Sequence, residues 1–201
     1  MAATFHSKNA FLTDSEMETN ARYVYGVLTS RGWSPTAVCG MLGNMETEST
    51  INPGIWQNLD AGNTSLGFGL VQWTPSTKYT SWCAARGLDP SHMDSALARI
   101  EWELENGEQY YKTDAYPLTF AQFKVSTESA SYLAQAFLLN YERPADQTQP
   151  ARSTQAEKWY TLLKGSEGGS EGGETPETPT PSTPVKGHSM SKLLLYSIVL
   201  R

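Results

Sequence analysis

One long interruption in an otherwise helical pattern limits the folds open to this chain. Residues 34–49 carry apolar side chains at helical spacing, with Ser34 and Pro35 as the expected cap and first turn. From residue 52 to residue 75 that spacing gives way to turn-forming Asn, Gly and Pro. The pattern therefore predicts a helix that opens onto a long loop or a small β insert.

Helical spacing returns after the interruption and continues to residue 164. The hydrophobic fraction is 39% and includes six Trp and ten Tyr, enough for one sizeable core. We expect about six helices around this core, a mainly α protein that becomes α+β if the insert forms strands. Gly40 and Gly43, off the apolar face of the second helix, indicate a close approach by a neighbouring element. The acidic residues Glu101, Glu103 and Glu105 are expected on a solvated face.

The composition changes after residue 164. Residues 165–187 are rich in Gly, Ser and Glu and then in Thr and Pro, as in a flexible linker. Residues 188–201 end in an apolar run that is far shorter than the roughly 20 residues of a membrane span. We predict a folded domain over 1–164, a linker over 165–187 and a short apolar tail over 188–201. The tail is expected to be a docking peptide or the remnant of a longer reading frame.

Charge and residue usage argue against several classes of function. The formal net charge is −6, and the chain lacks the basic face of a nucleic-acid binder. The three His residues are scattered, and Cys39 and Cys83 show no metal spacing, so we expect no metal, no cofactor and two buried free thiols. The N-terminus has no basic region followed by an apolar run, so no secretory signal peptide is expected.

Glu48 is the candidate for acid–base chemistry, because it is the last acidic residue before the helix breaks. Cleavage of a glycosidic bond needs a carboxyl that stays protonated near neutral pH, and an apolar pocket raises the pKa of a carboxyl into that range. A helical wheel places Glu46 and Glu48 at opposite edges of one apolar face and does not choose between them. The competing interpretation is that Glu48 is an ordinary charged residue at a helix end.

The segments around Glu48 resemble a known family. Residues 48–53 (ESTINP) are similar to the E-S-x-x-N-P segment of goose-type lysozymes and lytic transglycosylases, and residues 69–72 (GLVQ) to their G-L-M-Q motif, with Val in place of Met. The chain resembles the phage tail lysozyme family more closely, the cell-wall-degrading domain on the tail knobs of short-tailed phages. That resemblance covers roughly residues 10–164 and includes the segments MDSALARIEWE, AFLLNYERP and QAEKWY. It implies a lysozyme-like α-helical fold.

The resemblance also implies roles for individual residues. Glu48 would be the catalytic acid, Gln72 would contact the sugar near the scissile bond, and Tyr141 would line the site from a later helix. Beyond the motifs, the loop offers aromatic rings that could stack on sugars and amides that could bond acetamido groups. These candidates are Trp56, Phe68 and Trp73 for stacking, and Asn58 and Asn63 for hydrogen bonding. Core packing is an equally good interpretation of Trp73.

The sequence offers more than one candidate for the second catalytic group. Asp60 is the first candidate to position a water molecule, because it follows Glu48 in the same loop, and Glu142 is the second. If neither carboxylate reaches the site, an acetamido group or 6-hydroxyl of the substrate must act as the nucleophile. Attack by the 6-hydroxyl gives an anhydro sugar, the outcome of a lytic transglycosylase.

The resemblance implies a muramidase that cleaves the bond between N-acetylmuramic acid and N-acetylglucosamine in peptidoglycan. It also implies a place in the virion, on the phage tail with other tail proteins. Peptidoglycan is anionic, so long-range attraction cannot bring this acidic chain to it, whereas attachment to a virion could. The alternatives are a lytic transglycosylase, a non-catalytic peptidoglycan-binding tail component and an endolysin released at lysis. Family members commonly carry a zinc peptidase after a Gly-rich linker, but no such ligand set follows residue 165, so no peptide cleavage is expected.

Overall fold

The computed structural model describes residues 4–164, in which seven α-helices surround one apolar core. The helices are α1 (Asp14–Ser30), α2 (Pro35–Ser49), α3 (Thr77–Ala84), α4 (Met93–Asn106), α5 (Phe120–Lys124), α6 (Ala130–Phe137) and α7 (Pro150–Lys164). A 3₁₀ turn spans Gln57–Leu59, and a π-helical turn, Leu138–Glu142, extends α6. The mainly α fold is confirmed, with one helix more than expected. The predicted linker and apolar tail lie outside the described residues.

The second helix, α2, lies at the centre of the fold. It packs against α1, α6 and α7, and its side chains from Ala37 to Met45 are buried. Ser34 caps it as predicted, since its hydroxyl accepts a hydrogen bond from the Ala37 amide at 3.1 Å. The helix ends where Thr50 takes a left-handed conformation. Because the core is built around α2, its C-terminal end is held firmly against the neighbouring helices.

Two glycines bring α2 close to its neighbours. A Cβ atom on Gly40 would lie 2.9 Å from the Leu133 carbonyl carbon in α6. A Cβ atom on Gly43 would lie 2.8 Å from the Ala156 amide nitrogen in α7, and would also clash with the Arg152 carbonyl oxygen. The predicted close approach is therefore confirmed, and it is a contact of backbone against backbone.

Capping side chains determine where most helices begin. At α1, the Glu16 amide donates to the Thr13 hydroxyl and the Thr13 amide donates to the Glu16 carboxylate, which together form a capping box. At α6 the cap is Ser129, whose hydroxyl accepts a hydrogen bond from the Tyr132 amide. The Ser126 carbonyl accepts a hydrogen bond from the Ser34 hydroxyl and so ties the segment before α6 to the start of α2.

The interruption after α2 forms an irregular segment. Within residues 4–164 its β structure is limited to two isolated bridges, which pair Phe68 with Trp56 and with Trp73. Gly69 and Gln72 have positive φ values of 83° and 49°, which an extended strand does not allow. The buried Asn52 ties the segment to the N-terminal residues through hydrogen bonds to the carbonyls of Lys8 and Ala10.

Candidate functional site

Glu48 lies in the last turn of α2 with its carboxylate turned towards α7. Its Oε1 accepts a hydrogen bond from Arg152 Nη2 at 2.5 Å, and its side chain is only 5% exposed. Arg152 Nη1 also donates to Asn44 Oδ1 at 3.0 Å, and its Nε donates to Gln149 Oε1 at 2.7 Å. A buried ion pair between α2 and α7 is therefore part of the site, and hydrogen bonds to Asn44 and Gln149 fix the orientation of its arginine.

Arg152 is not among the predicted site residues, although its position in α7 carries a recognisable signal. Arg152, Ala156, Trp159 and Leu163 follow one another at helical spacing and are all buried in α7. A basic residue in a stripe that is otherwise apolar indicates a charge that faces the interior, where it needs a partner. That partner cannot be read from the local sequence, because Glu48 is 104 positions away.

Glu142, at the end of the π-helical turn, is the second carboxyl of the site. Its Oε1 is buried and accepts no hydrogen bond within the described residues. Burial raises the pKa of Glu142 well above its ordinary value, and the negative charge of nearby Glu48 raises it further, while the charge of Arg152 opposes the shift. The two carboxyls thus differ: Arg152 compensates the charge of Glu48, whereas Glu142 retains its proton to a higher pH.

Glu103 is a third inward carboxyl, and the prediction that it lies on a solvated face is wrong. It is buried in α4, three residues after Ile100 on the apolar stripe. It accepts hydrogen bonds from Trp73 Nε1 at 3.0 Å, from Arg99 Nε at 2.8 Å and from the Tyr141 hydroxyl. Burial raises the pKa of Glu103, and the bond from Tyr141 and the charge of Arg99 partly offset that effect. The three carboxyls Glu48, Glu103 and Glu142 are called the carboxyl cluster below.

A family model described as phage tail lysozyme matches residues 19–163, which is most of the chain. The chain belongs to the phage tail lysozyme family. It is also 59% identical over 161 residues to morphogenesis protein 1 of Bacillus phage B103, a match that covers 80% of this chain and 44% of that relative. The chain thus spans less than half the length of this relative. Membership of the family indicates a lysozyme-like role at the cell wall for this phage domain.

Several residues expected to bind the glycan lie in the irregular segment of this phage tail lysozyme domain. Trp56 is half-buried, with its ring centroid 4.7 Å from that of Phe68, and Asn58 is exposed. Gln72 is partly exposed, and its amide Nε2 donates a hydrogen bond to the Gly69 carbonyl at 2.9 Å, which also stabilises the loop.

Asp60, the first candidate for the second catalytic group, is exposed and accepts a hydrogen bond from Asn63 in its own loop. The contacts described for residues 4–164 do not join Asp60 to Glu48.

The structure does not support sugar stacking by Phe68 and Trp73. Their exposed fractions are only 3% and 4%, and the Trp73 ring stacks on Tyr79 with centroids 4.2 Å apart. Their faces are covered by core side chains because the loop folds back over α3. Trp73 instead serves the carboxyl cluster as a hydrogen-bond donor.

Tyr141 is the second-to-last residue of the π-helical turn, and its side chain extends towards α4. It is buried, stacks on Phe137 at 4.3 Å and donates its hydroxyl to Glu103. Since Glu142 is the next residue, Tyr141 fixes the backbone that carries the second carboxyl.

Within residues 4–164 no group of three or more His, Cys, Asp or Glu side chains is placed to hold a metal ion. Cys39 and Cys83 are buried free thiols, as predicted.

Proposed function

We propose that this domain is a muramidase that cleaves the bond between N-acetylmuramic acid and N-acetylglucosamine by general acid catalysis. The observation that carries the proposal is a pair of carboxyls that interact electrostatically, Glu48 in the last turn of α2 and Glu142 at the end of the π-helical turn. Arg152 pairs with Glu48, while Glu142 has its pKa raised by burial. Carboxyls whose environments separate their pKa values are the arrangement that glycosidases use to hold an acid beside a carboxylate.

In the proposed reaction the two carboxyls share one proton. The free protein keeps that proton on Glu142, because burial raises the pKa of this carboxyl. The pair delivers it to the glycosidic oxygen, with Glu48 as the group that meets this oxygen while the bond to the anomeric carbon breaks. Water then adds hydroxide to the anomeric carbon and returns a proton to the pair. We prefer Glu142 to Asp60 as the second carboxyl because Glu142 interacts with Glu48.

The irregular segment supplies the remaining parts of the proposed glycan site. Trp56 retains an exposed part of its ring that could contact a sugar, and Gln72 and Asn58 offer amides on the same segment. Asp60 stays a prediction as the group that positions water, and this role requires its loop to approach Glu48. Tyr141 acts through Glu103 and its own backbone, as a positioning residue.

We further propose that the domain acts from the virion and digests the cell wall locally during phage entry. The family's description as a tail lysozyme and the name of the B103 relative support this location. With a formal net charge of −6, attachment to a particle is a better means of reaching an anionic polymer than long-range attraction. Mass spectrometry of purified virions tests this part, since presence in the lysate alone would favour an endolysin.

The test of the activity is mass spectrometry of muropeptides released from purified peptidoglycan. Wild-type protein should create new reducing ends at N-acetylmuramic acid, and both Glu48→Gln and Glu142→Gln should lose them. Glu46→Gln is the matched control, because Glu46 lies on the same helix and pairs with the exposed Lys158. Anhydro-muramyl ends would identify a lytic transglycosylase. A folded wild-type sample that gives no products would overturn the proposed enzyme and favour a peptidoglycan-binding tail component.

A further inference from the structure

A cavity of about 480 Å³ lies beside the carboxyl cluster. It is lined by Lys78, Arg99, Glu108, Gln109, Tyr111 and Arg143, and is called the cationic cavity below. Two lining residues connect it with the site: Arg99 donates to Glu103, and Gln109 Nε2 donates to the Tyr141 carbonyl at 2.9 Å. A group bound in the cavity would therefore sit next to the elements that carry the proposed chemistry.

The cavity carries an excess of positive charge. Arg99 is balanced by its ion pair with Glu103. Among the ion pairs of residues 4–164, none includes Lys78 or Arg143, and Glu108 is the one acidic side chain among the lining residues. In a chain with a formal net charge of −6, Lys78 and Arg143 outnumber Glu108 on this concave surface, so the cavity has a locally positive field that attracts anions.

Arg143 is held in place before any ligand arrives. Its backbone takes the left-handed conformation with φ of 52°, and its amide donates to the Leu138 carbonyl at 2.8 Å. Its guanidinium lies over the Tyr111 ring, 4.6 Å from the centroid. Stacking on an aromatic face leaves the N–H groups at the edge of a guanidinium available to an acceptor in the same plane. The contact with Tyr111 therefore orients Arg143 for a planar or tetrahedral oxyanion.

We propose that the cationic cavity binds an oxyanion carried by the cell-wall polymer, through Lys78 and Arg143. The group is a carboxylate of a lactyl or peptide substituent, or a phosphate of a polymer linked to the wall. Charge-assisted bonds from a guanidinium and an ammonium suit both. The choice of polymer rests on the proposed function. Binding there would hold an anionic strand beside Glu103 and Tyr141, although the protein as a whole carries negative charge.

The test is titration of the wild-type protein with N-acetylmuramyl dipeptide, with its fully amidated form and with glycerol phosphate, followed by NMR. The charged probes should bind saturably. Lys78→Gln combined with Arg143→Gln should weaken that binding at least about tenfold, the effect of losing one charge-assisted hydrogen bond. Lys124→Gln is the matched control, because Lys124 is a cation on α5 and does not line the cavity. Tighter binding of the dipeptide than of glycerol phosphate identifies carboxylate as the ligand, and the reverse identifies phosphate.

Three results would overturn the inference: equal binding of the amidated probe, equal binding by the double variant, or no binding of a charged probe to wild-type protein. These outcomes are separate from a failure of the proposed activity, because the readout is binding and needs no glycan cleavage. Anion binding without glycan products would support the anion site and overturn the proposed muramidase activity. Glycan products without anion binding would support the muramidase activity and overturn the anion site.

Discussion

Arg152 lies 2.5 Å from Glu48, and the two side chains are 3% and 5% exposed. Charges so well shielded from water are weakly screened by salt, so each strongly affects the protonation of its neighbours. The pair also joins α2 to α7 at the point where Glu142 approaches. One contact therefore contributes both to the packing of two helices and to the protonation of the candidate active site.

Removing Arg152 should destabilise the protein strongly. Arg152→Met leaves the Glu48 carboxylate buried without its cation, which typically costs about 3–5 kcal/mol. Urea unfolding measures the loss of free energy. Lys158→Met is the matched control, because Lys158 also joins α7 to an acid of α2, Glu46, but is 48% exposed. The control should lose no more than about 1 kcal/mol. Similar losses in both variants would contradict the buried ion pair.

Adding a single methyl group at Gly43 should push α2 and α7 apart and destabilise the protein. In Gly43→Ala the new Cβ would meet the backbone of Arg152 and Ala156, so we expect a loss of about 1–3 kcal/mol in the free energy of unfolding, typical of overpacking. Gly26→Ala in α1 is the control, since a Cβ there meets nothing within 4 Å. That variant should gain about 0.5–1 kcal/mol through helix propensity. A Gly43→Ala protein as stable as wild type would show that the two helices are not in backbone contact.

The stability of the protein should fall as pH rises above 4.5, in part because of Glu142. The pKa of Glu142 is raised above its ordinary 4.5 in the folded chain by burial and then by the charge of Glu48. The folded state therefore binds the proton more tightly than the unfolded state does. This contribution is full below pH 4.5 and is lost as pH rises through the raised pKa. Glu142→Gln should remove it, which makes the variant gain stability relative to wild type as pH rises.

Urea unfolding at a series of pH values measures this effect, and Glu16→Gln provides a control of opposite sign. The pKa of Glu16 is lowered to about 2, first by a hydrogen bond from Lys8 and then by one from the Thr13 amide. Its contribution is present above pH 4.5 and is lost as pH falls towards 2. Parallel curves for wild type and Glu142→Gln above pH 4.5 would show that Glu142 ionises normally.

Trp73 and Trp56 should respond differently to substitution. Trp73→Phe removes a hydrogen bond to the buried Glu103, so we expect a loss of about 1–3 kcal/mol in the free energy of unfolding. Trp56→Phe should cost less stability, because Trp56 is half-buried. Trp56→Ala should raise the KM for glycan while the protein stays folded. A Trp73→Phe protein that keeps its stability but loses glycan affinity would restore the sugar-stacking role of Trp73.

Local rules explain what the sequence analysis predicted correctly. The helix start at Ser34 depends on residues within one turn, so its pattern could be recognised directly. The close packing at Gly40 and Gly43 follows from the absence of side chains at those positions. Helix type and order were accessible for the same reason.

The electrostatics of the site could not be predicted in the same way. Glu103 resembled its solvated neighbours because its partners Trp73 and Tyr141 come from other elements. Arg152 and Glu142 meet Glu48 only after α7 and the π-helical turn have packed against α2. The family resemblance pointed to Glu48 and Tyr141, but not to Arg152, the ion-pair partner of Glu48. Chemistry in this site depends on pairs of residues, and a linear pattern shows only one member of each pair.

The central position of α2 has a consequence for how the domain responds to heating. Segments that are packed on all sides open last when a native protein fluctuates, so their amide protons exchange slowly with solvent. Glu48 ends such a helix, whereas many reactive groups lie on loops that open early. Heating should therefore leave the Glu48 carboxyl in place until the whole domain unfolds, and loss of the proposed activity should coincide with the melting transition.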